Sequence, residues 1–103
     1  MELALDKHIE ATPGTRDGKP RVAGTRITVE DIVLMHLRLG LSLVEIAGKY
    51  DLPLAPVHTA MAYYYDHQDD IDRSIADDEA FAEAFRRNNP SLLQEKLGAL
   101  SRG

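Results

Sequence analysis

Four cations crowd one short run near the start of the chain. Arg16, Lys19, Arg21 and Arg26 lie within RDGKPRVAGTR, punctuated by Gly18, Pro20 and Gly24. Cations among glycines raise two chemistries: a backbone nest that cradles a phosphate, or contacts to a nucleic-acid backbone. A phosphate loop needs four residues between its glycines and a Ser or Thr directly after its lysine. Gly14 and Gly18 enclose three, and Pro20 follows Lys19. Proline also removes an N–H that a nest would use. A phosphate loop is therefore excluded, and the four cations stand as candidates for DNA-backbone contact.

A second candidate lies further on. The segments LVEIAGKY and APVHTAMAYYYDH have the spacing of a helix-turn-helix, with Ile46, Ala47, Val57 and Ala60 facing inward and Leu52 plugging the turn. The usual turn glycine is replaced by Asp51, which tolerates a left-handed backbone better than most residues. The start of the second helix offers only His58 and Thr59 for base edges, a poor set for direct readout. DNA reading and plain structural packing are equally compatible with it.

Metal or catalytic chemistry finds little support. DHQDDID lacks the alternating rhythm of a calcium loop, and His58 and His67 are nine residues apart. His36 shares a helical face with Val29, Ile32 and Val33, where a hydrogen-bonded core histidine is expected. With no cysteine and no nucleophile–base–orienter set, no catalytic residue, metal ligand or cofactor is expected, and the chain is not read as an enzyme.

These side chains need elements to hold them. LALDKHIEA places Leu3, Leu5, Ile9 and Ala11 on one parity, interrupted by Lys7, and reads as a half-buried strand. RVAGTRI reads as a second strand, with Gly24 marking a bulge or kink because Val22 and Ile27 fall on opposite parities. Thr28 with Asp31 has the offset of a capping box opening a helix over VEDIVLMHLRL, which Gly40 ends. That helix is apolar on most of its faces, which implies a second copy of the chain as one neighbour. Ser42 with Glu45 is a full capping box for the next helix, and Pro56 suits the first turn of the third. From residue 68 onward the pattern is an amphipathic helical tail: Ile71, Ile75, Ala82 and Phe85 on one side, with Phe81 beside them, and acids opposite. Asn89-Pro90 reads as a stop before a last short helix carrying Leu92, Leu93, Leu97 and Leu100.

The fold class expected is mainly α with a short N-terminal β segment. It comprises a helix-turn-helix core over residues 1–67 and an amphipathic tail over residues 68–103. With 103 residues and a formal net charge of −5, the chain suits one small domain with an appendage and is no generic nucleic-acid coat. Charge is segregated. From Arg16 to Thr28 there are four cations and one acid, and from Asp66 to Glu83 eight acids and one cation, Arg73. No apolar run is long enough to span a membrane, and MELALDKHIE lacks a basic start ahead of an apolar block. A cytoplasmic protein is the expectation.

The run GKPRVAGTRITVEDI followed by LGLSLVEIAGKYDLPLAPVHTAMAYYYDH resembles the VapB-like antitoxin family catalogued as domain of unknown function 433. The carrying residues are Gly18 to Pro20, Gly24 to Ile27, Val29, Gly40, Ser42, Glu45, Ile46, Tyr50 and Tyr63 or Tyr64, across roughly residues 9–67. The resemblance implies a homeodomain-like three-helix core, homodimers, and a PIN-like ribonuclease toxin as partner. On that reading the tail docks the toxin through Phe81, Phe85 and Leu92, and Arg86 or Arg87 reaches its metal-binding carboxylates. Arg16, Lys19, Arg21, Arg26, His58 and Thr59 are the candidates for operator DNA. The rival expectations are a stand-alone dimeric DNA-binding regulator and an oligomeric adaptor that binds no nucleic acid.

Overall fold

The structure, a computed structural model, describes residues 3–4 and 7–89. The chain divides into two compact units, Met1–Ile71 and Asp72–Gly103. The architecture is mainly helical with a short N-terminal antiparallel sheet, in strand order β1 (Leu3–Ala4), β2 (Ile9–Ala11), β3 (Arg21–Val22). The first expected strand is thus two strands. The backbone bends at Lys7 and His8, where a charge breaks the apolar alternation, and β1 and β2 pair with Leu3 opposite Ala11. β2 pairs β3 with Ile9 opposite Val22 and Glu10 opposite Arg21. One parity therefore sends Ile9 and Val22 into the core, while the other sets a carboxylate across from a guanidinium.

Gly24 has a role other than the expected bulge. It sits at φ +77° in the turn after β3, a turn closed by Val22 N–H donating to Ile27 O at 2.8 Å. The left-handed backbone there is the reason for glycine. The chain returns alongside β3 through a bridge between Arg21 and Thr28, which delivers Thr28 to the start of helix α1 (Val29–Val33).

That helix opens on the expected capping box. Thr28 Oγ1 accepts from Asp31 N–H at 2.9 Å, and Asp31 Oδ2 accepts from Thr28 N–H at 3.0 Å. Two orphan donors are satisfied at once, and Thr28 itself is fully buried. After Val33 the helix widens into a π-helical turn over Leu34–Arg38. Leu39 N–H reaches back to Leu34 O, and Leu41 N–H to Met35 O, around Gly40 at φ +75°. His36 is half-buried and donates Nδ1–H to Leu41 O at 2.7 Å, the hydrogen-bonded histidine its face implied. Leu37 and Leu39 point outward.

Ser42 and Glu45 cap α2 (Leu43–Lys49) reciprocally at 3.1 and 3.0 Å. Asp51 then takes φ +53° and Leu52 N–H closes on Ala47 O at 2.8 Å, so aspartate fills the left-handed position of the turn. Helix α3 (Leu54–Asp66) packs against α1, α2, β2 and β3. Its Val57 and Ala60 are fully buried, with Pro56, Met61 and Tyr64 beside them. Ile9, Ile32 and Ile46 complete the centre at zero exposure. Each such side chain contributes about 1.5–3 kcal/mol by leaving water. Helix α4 (Gln68–Asn88) follows. Asn89 ends it where its side chain donates Nδ2–H to Phe85 O at 3.0 Å, covering a terminal carbonyl. Among the described residues no helix is long and apolar enough to cross a membrane.

Candidate interaction surfaces

The four clustered cations are positioned by the tight turn Arg16–Gly18, strand β3 and the first turn of α1. The first three meet carboxylates. Arg16 reaches across to Asp31, Nη1 to Oδ2 at 3.1 Å, and also donates to Arg26 O at 2.8 Å. Lys19 Nζ lies 3.3 Å from Glu30 Oε2. Arg21 Nη2 lies 3.2 Å from Glu10 Oε1 while its Nε–H donates to Thr25 O at 2.9 Å. Glu10 Oε1 also accepts from Gly24 N–H at 2.8 Å, so one carboxylate ties the turn to the strand. Arg26 contributes its carbonyl to this clamp and is exposed.

Burial separates the three pairs. The Arg16 and Asp31 side chains are about one-third exposed, 36% and 32%, and exposed pairs of that kind contribute roughly 0–1 kcal/mol. Arg21 is 9% exposed and Glu10 17%, so removing one partner leaves a largely desolvated charge without its counter-ion. The Arg16 guanidinium is held above its ordinary value, chiefly by the hydrogen bond to Asp31. The charges of Asp31, Glu30 and Asp17 add to this, and partial desolvation opposes it. Asp31 thus serves two masters, capping α1 and anchoring Arg16. Sequence reasoning missed these pairings. The signal was available in Glu30 and Asp31, acids in the first turn of a helix that follows the basic run.

On α3, His58 is exposed and Thr59 half-buried, with Thr59 Oγ1 already donating to Ala55 O at 3.0 Å. Leu54 and Ala55 are exposed beside them. This helix face therefore offers a single exposed imidazole and little else to a base edge. At the other end of α3, His67 stacks on Tyr63 with ring centroids 4.0 Å apart and donates Nδ1–H to Tyr63 O at 3.0 Å. Burial, with a smaller contribution from Asp70, pushes the Tyr63 phenol above its usual value. Among the described residues no three of His, Asp or Glu converge to hold a metal ion.

Helix α4 is arranged differently. Phe81 is 74% exposed and Phe85 50%, one turn apart on the same face. Arg86 Nη2 lies 2.7 Å from Glu83 Oε2 in an exposed i,i+3 pair, worth a few tenths of a kcal/mol and readily exchanged. Arg87 is exposed beside it. Acids in the first turn and arginines in the last also complement the helix dipole. Leu92, the remaining residue expected at this surface, lies outside the described residues.

A family model described as protein of unknown function (DUF433) matches residues 9–64. The chain belongs to the DUF433 family. The matched span of this DUF433 chain begins at the fully buried Ile9 and ends at the buried Tyr64. It takes in β2, β3, the ion-pair clamp, α1, α2 and α3 up to Tyr64, and stops before α4 begins. The chain is also similar to the crystal structure of a DUF433 member protein from Anabaena variabilis ATCC 29413, at 33% identity and a TM-score of 0.63. That similarity covers 70% of this chain and 71% of the other. No curated protein matches the chain.

Proposed function

We propose that this DUF433 chain is the cytoplasmic antitoxin of a type II toxin–antitoxin pair, neutralising a PIN-like ribonuclease through its C-terminal helical region. The observation that carries the reading is the pair Phe81 and Phe85, two large apolar side chains held out on an otherwise acidic helix. Burying such a pair in a partner's groove is the usual way an amphipathic helix earns affinity. Arg86, and Arg87 beside it, follow directly, so that a docked α4 brings cations toward the carboxylates that bind a nuclease's metal. Release of Arg86 from Glu83 costs little because that pair is exposed.

The first unit supplies the scaffold in this reading: a homeodomain-like three-helix core that dimerises and contacts operator DNA. The left-handed Asp51 turn between α2 and α3 supports the helix-turn-helix geometry. Arg26 and His58 are the exposed candidates for DNA, with Thr59 beside them. Arg16, Lys19 and Arg21 must first leave their carboxylates.

Co-expression of the tagged full chain with a PIN-like ribonuclease encoded in an adjacent reading frame tests the proposal. The nuclease is expected to co-purify in inactive form. Phe81→Ala/Phe85→Ala is expected to lose it, and Arg86→Ala/Arg87→Ala to retain it while restoring RNA cleavage. A wild-type chain that binds promoter DNA but retains no nuclease would instead identify a stand-alone regulator. A dimer that binds neither would identify an adaptor.

A further inference from the structure

Arg16 stands apart from the other cations of the basic run in its backbone. It and Asp17 take φ +48° and +60°, a left-handed conformation that costs a non-glycine residue about 1–2 kcal/mol. Gly14 and Gly18, on either side, take it without that cost. At Arg16 the side chain offsets the cost through three contacts. Nη1 lies 3.1 Å from Asp31 Oδ2, Nη2 lies 3.4 Å from Asp31 Oδ1, and Nη1–H donates to Arg26 O at 2.8 Å. Two guanidinium nitrogens facing two carboxylate oxygens is the fork with which arginine also takes a phosphate. Asp31 is itself held in place, because its Oδ2 accepts from Thr28 N–H at the head of α1. The carboxylate is thus presented already oriented, and little freedom is lost when Arg16 meets it.

The three ion pairs of the run differ in how readily they exchange. Arg21 and Glu10 are largely desolvated and tie the hairpin together, and Lys19 with Glu30 is intermediate. Arg16 with Asp31 is the most exposed of the three. Arg16 is therefore the paired cation that a polyanion reaches most easily. Arg26, whose carbonyl it touches, is exposed beside it. We propose that Asp31 is a built-in phosphate mimic, a brake that keeps Arg16 off nucleic acid and limits the protein's general affinity for DNA. This rests on the reading that the first unit contacts DNA, and deepens it by naming the residue that sets how many cations the phosphates meet. With the brake on, each protomer offers Arg26. With it off, each offers Arg16 and Arg26 together. Sequence-independent binding to DNA is almost wholly electrostatic, so one more cation per protomer shows directly in its salt dependence.

Fluorescence anisotropy of a short mixed-sequence DNA duplex, titrated with the full chain over a range of salt, tests the proposal. Asp31→Asn keeps an oxygen for Thr28 N–H and removes the charge that holds Arg16. In a dimer it is expected to bind more tightly than wild type and to steepen the log–log salt slope from about −2 to about −4. Its advantage is expected to shrink about tenfold between about 50 and 200 mM salt. Arg16→Ala is expected to match wild type, because its cation is already withheld, and Arg16→Ala/Asp31→Asn to lose the gain. Asp66→Asn removes an equal charge from the exposed end of α3 and is expected to change affinity no more than about twofold. A folded Asp31→Asn protein with the wild-type slope, a gain that persists without Arg16, or an equal gain in Asp66→Asn would overturn the brake while leaving DNA contact intact. So would weaker binding by Arg16→Ala, the variant that decides the question should Asp31→Asn fail to fold. If neither wild type nor Asp31→Asn binds the duplex, the DNA reading itself falls and the brake with it.

Discussion

The basic run from Arg16 to Arg26 and the acidic helix α4 are the two strongly charged regions of the molecule, and the fold treats them in opposite ways. In the basic run the guanidinium and ammonium groups of Arg16, Lys19 and Arg21 meet Asp31, Glu30 and Glu10. In α4 carboxylates of one sign outnumber the cations along the chain, and two phenyl rings stand out among them. Charge in a sequence is therefore not the same as charge available to a partner. The conspicuous cations close the hairpin onto the start of α1, and the acidic helix holds Phe81 and Phe85 exposed among its charges.

The largest loss is expected on removing Arg21. Arg21→Ala takes the counter-ion from a largely buried Glu10, which keeps its bond from Gly24 N–H, and unfolding of the first unit is expected to become about 2–3 kcal/mol easier. Tm would fall by roughly 10 °C or more, as read by calorimetry. A surface arginine would change stability by no more than about 0.5 kcal/mol. Phe81→Ala/Phe85→Ala should do the reverse, leaving unfolding within about 0.5 kcal/mol of wild type and weakening nuclease binding by about 100-fold in titration calorimetry.

Thr28→Ala removes the cap that sets Asp31 for Arg16, and should cost about 1 kcal/mol in urea denaturation. Promoter binding, if the dimer makes it, should show a log–log salt slope of about −2, one phosphate for Arg26 of each protomer. A slope near −7 would mean that all four cations leave their carboxylates.

The smallest effect concerns pH. The Glu45 carboxyl is held below its ordinary value by hydrogen bonds from the Ser42 backbone and side chain. Its contribution is thus present above the unfolded carboxyl range near 4.3 and is lost as pH falls through the folded value. Ser42→Ala should flatten that acid limb slightly in pH-dependent unfolding.

Much of this was legible in the chain. Both capping boxes, the stop at Gly40, the left-handed Asp51 and the end of α4 at Asn89 depend on residues within a few positions of one another. Thr28 and Asp31 are three apart, as are Ser42 and Glu45, and Asn89 reaches back four to Phe85. A helix supplies such partners at fixed offsets, so residue type at the right spacing is nearly sufficient. The split of the first strand at Lys7 and the π-helical widening after Val33 were less visible. Strand register and helix pitch there answer to packing rather than propensity.

The fate of the cations was decided by the tertiary structure alone. Arg16 and Asp31 are fifteen residues apart, and Lys19 and Glu30, like Arg21 and Glu10, are eleven. No local rule joins residues at those separations. They meet because β2 and β3 pair in one register and the Gly24 turn returns the chain to the head of α1. A sequence determines which charges exist and which helices can start. Which charges neutralise one another depends on distances that only the closed hairpin and its packed helix create, since attraction between ions falls with separation in space and not along the chain.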